Sequence, residues 1–265
     1  MTDAEFTFED GAATHEGRVR DHNEDRFLRK PRSGVWVVAD GMGGHEAGDF
    51  ASEAIVDSIT SIGLASSAED LQARFVDRIS RAHAIIQDRS RELNGATVGA
   101  TVVGLLIYKA GFACIWAGDS RIYRMREGRL SQVTVDHTEA QELLASGAIT
   151  AEQAENWPRK NVITRAIGVS ESPNLEEKYG NLEIGDTFLL CSDGLTEHIE
   201  DAEIEAILNE HGAQKSCEEL VEMTLERGAR DNVTIVVVRC VPQTQKKAMA
   251  EATVPPTDID WSIGN

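Results

Sequence analysis

A chain of 265 residues, 41% hydrophobic and 27% charged, reads as a soluble globular protein with ample length for a buried core. Its formal net charge of −19, with 26 basic residues that form no Lys/Arg block, argues against nucleic acid or an anionic membrane surface as the main partner. The longest apolar runs, such as residues 101–108 with their break at Gly104, fall far short of a bilayer span, so no membrane association is expected.

The first eleven residues have neither the basic nor the apolar region of a signal peptide. Cys114, Cys191, Cys217 and Cys240 form no Cys-x-x-Cys pair, and reduced thiols in a cytoplasm are expected rather than a disulfide or zinc framework.

Residues 6–9 alternate as Phe-Thr-Phe-Glu and predict a first strand. A second is expected to begin within the charged stretch Gly17-Arg-Val-Arg20-Asp-His-Asn-Glu24-Asp25-Arg-Phe27. Residues 35–39 are a short β-branched and aromatic run, the mark of a buried strand. That run ends in Asp40 and turns through Gly41, Gly43 and Gly44, where the backbone can bend and approach a ligand. From Ala47, Ile55, Ile59 and Ile62 recur at helical spacing. The strand, turn and helix match neither a P-loop, which ends in Gly-Lys-Ser/Thr, nor a Gly-x-Gly-x-x-Gly fingerprint. Taken alone, Asp40 is more simply a turn former than a metal ligand, since Asp-Gly is a common turn pair.

After a break at Ser66-Ser67, Leu71, Phe75, Ile79 and Ile86 predict a second amphipathic helix ending near Leu93-Asn94-Gly95. His83, near the edge of that stripe, reads as an ordinary helix histidine with no partner at metal spacing. Strands are predicted over 100–108, 111–118 and 121–125, with a tight hairpin at Lys109-Ala110. The middle one runs into Gly118-Asp119.

Residues 138–180 change character, with a helical piece at 140–146, the helix start Thr150-Ala-Glu-Gln153 and the basic cluster Arg159, Lys160 and Arg165. They read as a flap, its positive charge a candidate contact for an anionic substrate. Strand character returns in Thr187-Phe-Leu-Leu-Cys-Ser-Asp193-Gly194-Leu195, followed by helices over about 201–209 and 217–227 and a last strand over 232–238, entered through Asp231. The polar, Pro-punctuated tail, 242–265, is expected to be flexible and residues 1–241 to form one catalytic domain.

Asp40, Asp119 and Asp193 each end an apolar strand, and Asp231 opens one running the other way. In antiparallel sheets such ends share an edge, so four carboxylates should meet at one mouth, with Glu24 and Asp25 nearby. Like charges at short range are costly, and a divalent cation removes the conflict. Oxygen ligands without His or Cys select Mg²⁺ or Mn²⁺ over zinc. Two such ions suit phosphate ester hydrolysis, and Arg20, close in sequence to Glu24-Asp25, is the best candidate guanidinium for the phosphate, with Arg18 and Arg26 less well placed if the family pattern described below holds.

Thiol phosphatase chemistry is excluded, because a Cys-x5-Arg motif starting at Cys191 would need arginine where Glu197 stands. Ser120 and Ser192 lack a Gly-x-Ser-x-Gly elbow, and His45 has no triad partner and reads as a loop or capping residue.

Five motifs carry a family resemblance: Arg20-x-x-Asn-Glu24-Asp25, Asp40-Gly41-Met-Gly-Gly-His, Gly118-Asp119-Ser-Arg, Ser192-Asp193-Gly194 and Asp231-Asn232-Val-Thr. In this order, across roughly residues 6–240, they resemble the metal-dependent protein phosphatases (the PPM or type-2C serine/threonine phosphatases) of the bacterial branch. The resemblance implies an α+β fold, a four-layer α-β-β-α sandwich of two central antiparallel sheets with a small flap insertion. It implies that Asp40 bridges two Mn²⁺ or Mg²⁺ ions, that Asp193 and Asp231 complete one, and that the Gly41 carbonyl helps hold the other. Glu24 and Asp25 would act largely through water, Arg20 would hold the phosphate, and Asp119 with Asp193 would match a third-metal site, with Asn161 a further flap contact.

Met42 stands where eukaryotic members have a histidine proposed as general acid, so leaving-group protonation is expected to fall to water. The expected activity is phosphoserine and phosphothreonine hydrolysis by a metal-bridged water, in a cytoplasmic monomer opposing a Ser/Thr kinase, its pathway (secretion-system regulation included) left open. The rivals are a catalytically silent binding module of the same fold and a metal-dependent nuclease, the latter disfavoured by the negative charge.

Overall fold

Alternation along the strands decides the layering. A computed structural model describes residues 6–43 and 46–243. In chain order its strands are β1 (Phe6–His15), β2 (Asp25–Lys30), β3 (Val35–Met42), β4 (Gly99–Ala100), β5 (Val102–Tyr108), β6 (Gly111–Ala117), β7 (Arg121–Arg126), β8 (Arg129–Gln132), β9 (Glu176–Asn181), β10 (Thr187–Cys191) and β11 (Val233–Pro242). The helices are α1 (Glu46–Thr60), α2 (Ala68–Glu92), α3 (Glu139–Ala145), α4 (Ala151–Glu155), α5 (Asp193–Thr196), α6 (Asp201–Glu210) and α7 (Ala213–Glu226).

One antiparallel sheet has the order β1-β11-β10-β7-β8, and the other β2-β3-β5-β6-β9, with β4 paired to β3. In β3, Trp36 and Val38 face the inter-sheet core while Val35, Val37 and Ala39 face the core under α1 and α2. In β11, Val236 and Val238 enter the same inter-sheet core, and Val233, Ile235 and Val237 pack beneath α6 and α7. Both faces of each central strand are therefore covered, which is why these stretches read as unbroken apolar runs. The result is the expected four-layer sandwich.

The second helix forms where its signals place it. Ser67 caps it by accepting from the Asp70 N–H (3.1 Å), Glu69 and Asp70 occupy the first turn, and Arg89 and Arg91 the last. Leu71, Phe75, Ile79, Ala82 and Ile86 form its buried stripe.

His83 is buried with them, and its Nδ1 accepts the Gly168 N–H (2.9 Å). Burial lowers its pKa, so the fold favours the neutral ring. A lowered histidine pKa contributes stability that is full above the unfolded value of about 6.5 and is lost as pH falls through the folded one. We expect the melting temperature to drop on acidification through that range, and His83→Gln to show a shallower drop than wild type.

Several boundaries differ from the sequence reading. β1 runs on to His15, whereas the charged stretch before Asp25 is loop. The predicted run over 100–108 breaks at Thr101 into β4 and β5, β8 and α5 were not anticipated, α7 starts at Ala213, and β11 starts at Val233 and extends to Pro242. The flap ends before residue 176, because Glu176–Asn181 pairs with β6 as an edge strand. An edge strand needs no apolar alternation on both sides, so Glu-Glu-Lys-Tyr-Gly-Asn gave no strand signal. The readings of His45 and of most of the tail fall outside the described residues.

Candidate metal centre

The two sheets each bring two of the strand-end aspartates. Asp40 lies in β3 and Asp119 follows β6 in one sheet, whereas Asp193 follows β10 and Asp231 precedes β11 in the other. Asp25, the first residue of β2, stands directly opposite Asp40 in the ladder.

The electrostatics record the crowding. Asp40 is pushed well above the usual carboxylate range by burial and then by the charges of Asp25, Asp193, Asp119 and Asp231. Asp193 is raised likewise by burial, then by Asp119, Glu197, Asp231 and Asp25. Asp25 and Asp119 are each pushed up to about 6, with burial the largest cause in both. Glu24 is raised too, again chiefly by burial. Asp40 and Asp193 feel the other aspartates most, as a shared mouth requires.

As the side chains stand, no three His, Cys, Asp or Glu side chains among the described residues form a group able to hold one ion. Two contacts account for part of this: Asp231 Oδ2 accepts from the Arg20 guanidinium (2.6 Å), and Asp25 Oδ2 accepts from the Ser192 hydroxyl (2.7 Å). The donor set nevertheless fits a hard divalent cation. Asp25 Oδ1 and Asp119 Oδ1 are buried without any hydrogen-bond partner, and an orphaned buried carboxylate oxygen is costly unless a cation satisfies it.

The surroundings position the acids. Thr101 N–H donates to Asp40 O (2.8 Å), the Asp40 N–H donates to Thr101 Oγ1 (3.3 Å), and Thr101 Oγ1 bonds Ser120 Oγ (2.7 Å). The Gly41 N–H donates to Glu24 O (3.2 Å), tying the acidic loop to the glycine turn. Arg20 is more than half exposed at the mouth. Arg18 is engaged with Leu225 O, and Arg26 with Asp49 and two carbonyls, whereas Arg20 pairs with an aspartate of the site itself, Asp231.

The flap borders a cavity of about 600 Å³ that reaches Asp119 and Asp193 and is lined by Leu144, Lys160, Asn161 and Glu197 among others. Asn161 donates to Glu197 (3.4 Å) rather than to an aspartate of the site. The basic cluster is largely spent internally, contrary to the sequence reading: Arg159 pairs with Glu139 (3.0 Å) and Arg165 with Glu176 (3.3 Å). Lys160 alone of the three lines the cavity.

Sequence reasoning missed His137. Its ring is buried, Nδ1 accepts the Gly118 N–H (3.1 Å), Nε2 meets Glu176 (2.9 Å), and its N–H donates to Gly118 O (2.9 Å), fixing the turn before Asp119. It also missed the carboxamide of Asn232 and the hydroxyl of Ser192 as positioning groups. Both lie inside quoted motifs, and motif membership was the only available signal. Cys191 is fully buried and its thiol is pushed up to about 12 by burial, which removes it as a nucleophile.

Comparison with known proteins places the architecture. The model of the family described as "Protein phosphatase 2C" matches residues 14–235. Serine/threonine phosphatase stp of Listeria welshimeri is 34% identical over 239 residues, covering 85% of this chain and 93% of the relative. Among solved structures, PppA, described as a key regulatory component of T6SS in Pseudomonas aeruginosa, is 39% identical with a TM-score of 0.82, covering 88% of this chain and 98% of that one. The catalytic domain of the serine/threonine protein phosphatase PstP, in complex with two manganese ions, is 32% identical with a TM-score of 0.78, covering 89% of this chain and 99% of that one.

The chain belongs to the protein phosphatase 2C family. Its relatives are bacterial serine/threonine phosphatases, as the motifs implied.

Proposed function

We propose that this protein hydrolyses phosphoserine and phosphothreonine in proteins, using two Mn²⁺ or Mg²⁺ ions held between the sheets and a third at the flap side. The observation that carries the reading is the meeting of aspartates from both sheets, with unpartnered buried oxygens on Asp25 and Asp119, beside an exposed arginine. Asp40, Asp193, Asp231 and the Gly41 carbonyl would hold the core pair, Glu24 and Asp25 would support it through water, and Asp119 with Asp193 would hold the third. When bound, such ions supply Lewis acidity, withdrawing charge from phosphoryl oxygens and making water a stronger nucleophile near neutral pH.

The chain's own residues do the rest. Arg20 leaves Asp231 and offers its planar fork to the non-bridging phosphate oxygens. Residues 1–241 serve as the catalytic domain. A cognate Ser/Thr kinase supplies the substrates, and the setting is a cytoplasmic monomer.

Arg20→Ala should raise KM for a phosphothreonine peptide roughly 10- to 100-fold, the worth of a charge-assisted pair. Steady-state kinetics at saturating Mn²⁺ check this, and an unchanged KM would remove Arg20 from the phosphate site.

A further inference from the structure

Arg20 and Glu24 sit in a segment, residues 16–24, that belongs to no strand or helix and owes its shape to what holds it from outside. Much of that hold comes from one side chain. Asn232 Oδ1 accepts the Glu24 N–H (2.8 Å), while its Nδ2 donates to Glu16 O (2.8 Å) and to His22 O (2.9 Å). These three bonds bracket Arg20 on both sides. The residue is 6% exposed, so its carboxamide is held in a place where losing these bonds would leave it unpaired.

The same residue orients the partner of Arg20. The Asn232 N–H donates to Asp231 Oδ1 (2.8 Å), and Arg20 takes Oδ2 of that carboxylate (2.6 Å). The segment is pressed against this stretch of backbone. Gly17 has φ +84, and a Cβ there would lie 2.4 Å from Asp231 O. The Arg18 N–H donates to Ala229 O (2.9 Å).

We propose that Asn232 is a positioning residue for phosphate recognition: its carboxamide sets the 16–24 segment so that the Arg20 guanidinium stands over Asp231 at the mouth. Asparagine alone offers one acceptor and two donors at this reach. Aspartate keeps the acceptor, loses both donors and turns a charge toward two carbonyl oxygens. Glutamine is a methylene too long, and alanine releases all three bonds. The proposal rests on the reading of Arg20 as the phosphate ligand.

The test is a double-mutant cycle read as the inhibition constant of inorganic phosphate against the Mn²⁺-loaded full chain: wild type, Arg20→Ala, Asn232→Ala and the double variant. Asn232→Ala is expected to raise that constant about 10-fold or more, since displacement of a positioned group by about 1 Å is enough to cost that much. In the Arg20→Ala background the same change should add less than about 3-fold, because its route to phosphate is already gone. Full additivity, or an unchanged constant in Asn232→Ala, overturns the proposal. An unchanged constant in Arg20→Ala overturns the reading of Arg20 beneath it. Asn232→Asp runs through the same cycle, so that a folding defect in the alanine variant does not decide the matter.

Discussion

Asp40→Asn is expected to abolish turnover while raising the melting temperature of the metal-free protein. The two effects share a cause. Asp40 stands among four other carboxylates, each of which pushes its pKa upward. Holding a charge there opposes folding, and a neutral amide of the same shape relieves the repulsion. Relief of about 1 kcal/mol would raise the melting temperature by roughly 2–4 °C for a chain of this size.

The same substitution removes the carboxylate expected to bridge both ions. Wild type at a cation concentration of 100 times the dissociation constant should gain about 2.7 kcal/mol, and the variant little of it. A rate loss on the order of 10³-fold is expected, comparable to deleting one preorganised electrostatic element from other active sites. Differential scanning calorimetry with manganese and with chelator, beside an aryl phosphate assay, checks all three. A metal-free variant that melts below wild type would mean the carboxylates are not in conflict.

Gly194→Ala should be strongly damaging to both fold and site. A Cβ at Gly194 would lie 1.9 Å from the Asn232 carbonyl oxygen and 3.0 Å from its carbon. Both neighbours are backbone of the segment entering β11, so neither can swing aside. The clash pushes Asp193 away from Asp231, separating the two aspartates that the second sheet contributes. Overpacking of this kind costs about 3 kcal/mol or more, a fall of roughly 6–12 °C in melting temperature. Metal-dependent turnover should fall with it. Gly63→Ala, where an added Cβ meets nothing within 4 Å, is the control and should leave both within error. Urea denaturation of the two variants side by side measures the difference.

Much of the site was legible because its chemistry sits at strand ends. An apolar run closed by Asp-Gly, as at Asp40 and Asp193, announces both the strand and the place where it meets solvent. What the sequence did not reveal depends on partners far along the chain. The ladder pairing of Asp25 with Asp40 needed the register, and the separation of the four aspartates into two facing sheets needed the topology. Ser192 and Asn232 act across 167 and 208 residues, on Asp25 and on Glu24, a distance no local pattern encodes. The flap arginines looked free because Glu139 and Glu176, which neutralise them, give no hint of their side-chain directions in the sequence. β8 and β9 were invisible because edge strands can be polar on both faces, and both lie at sheet edges.

Hydrolysis of a phosphothreonine peptide, wild type beside Asp193→Asn, with manganese and with chelator, tests the central claim most directly. The metal-centre account expects turnover that requires the cation and falls at least about 100-fold in the variant. Turnover that survives both chelator and substitution would contradict it.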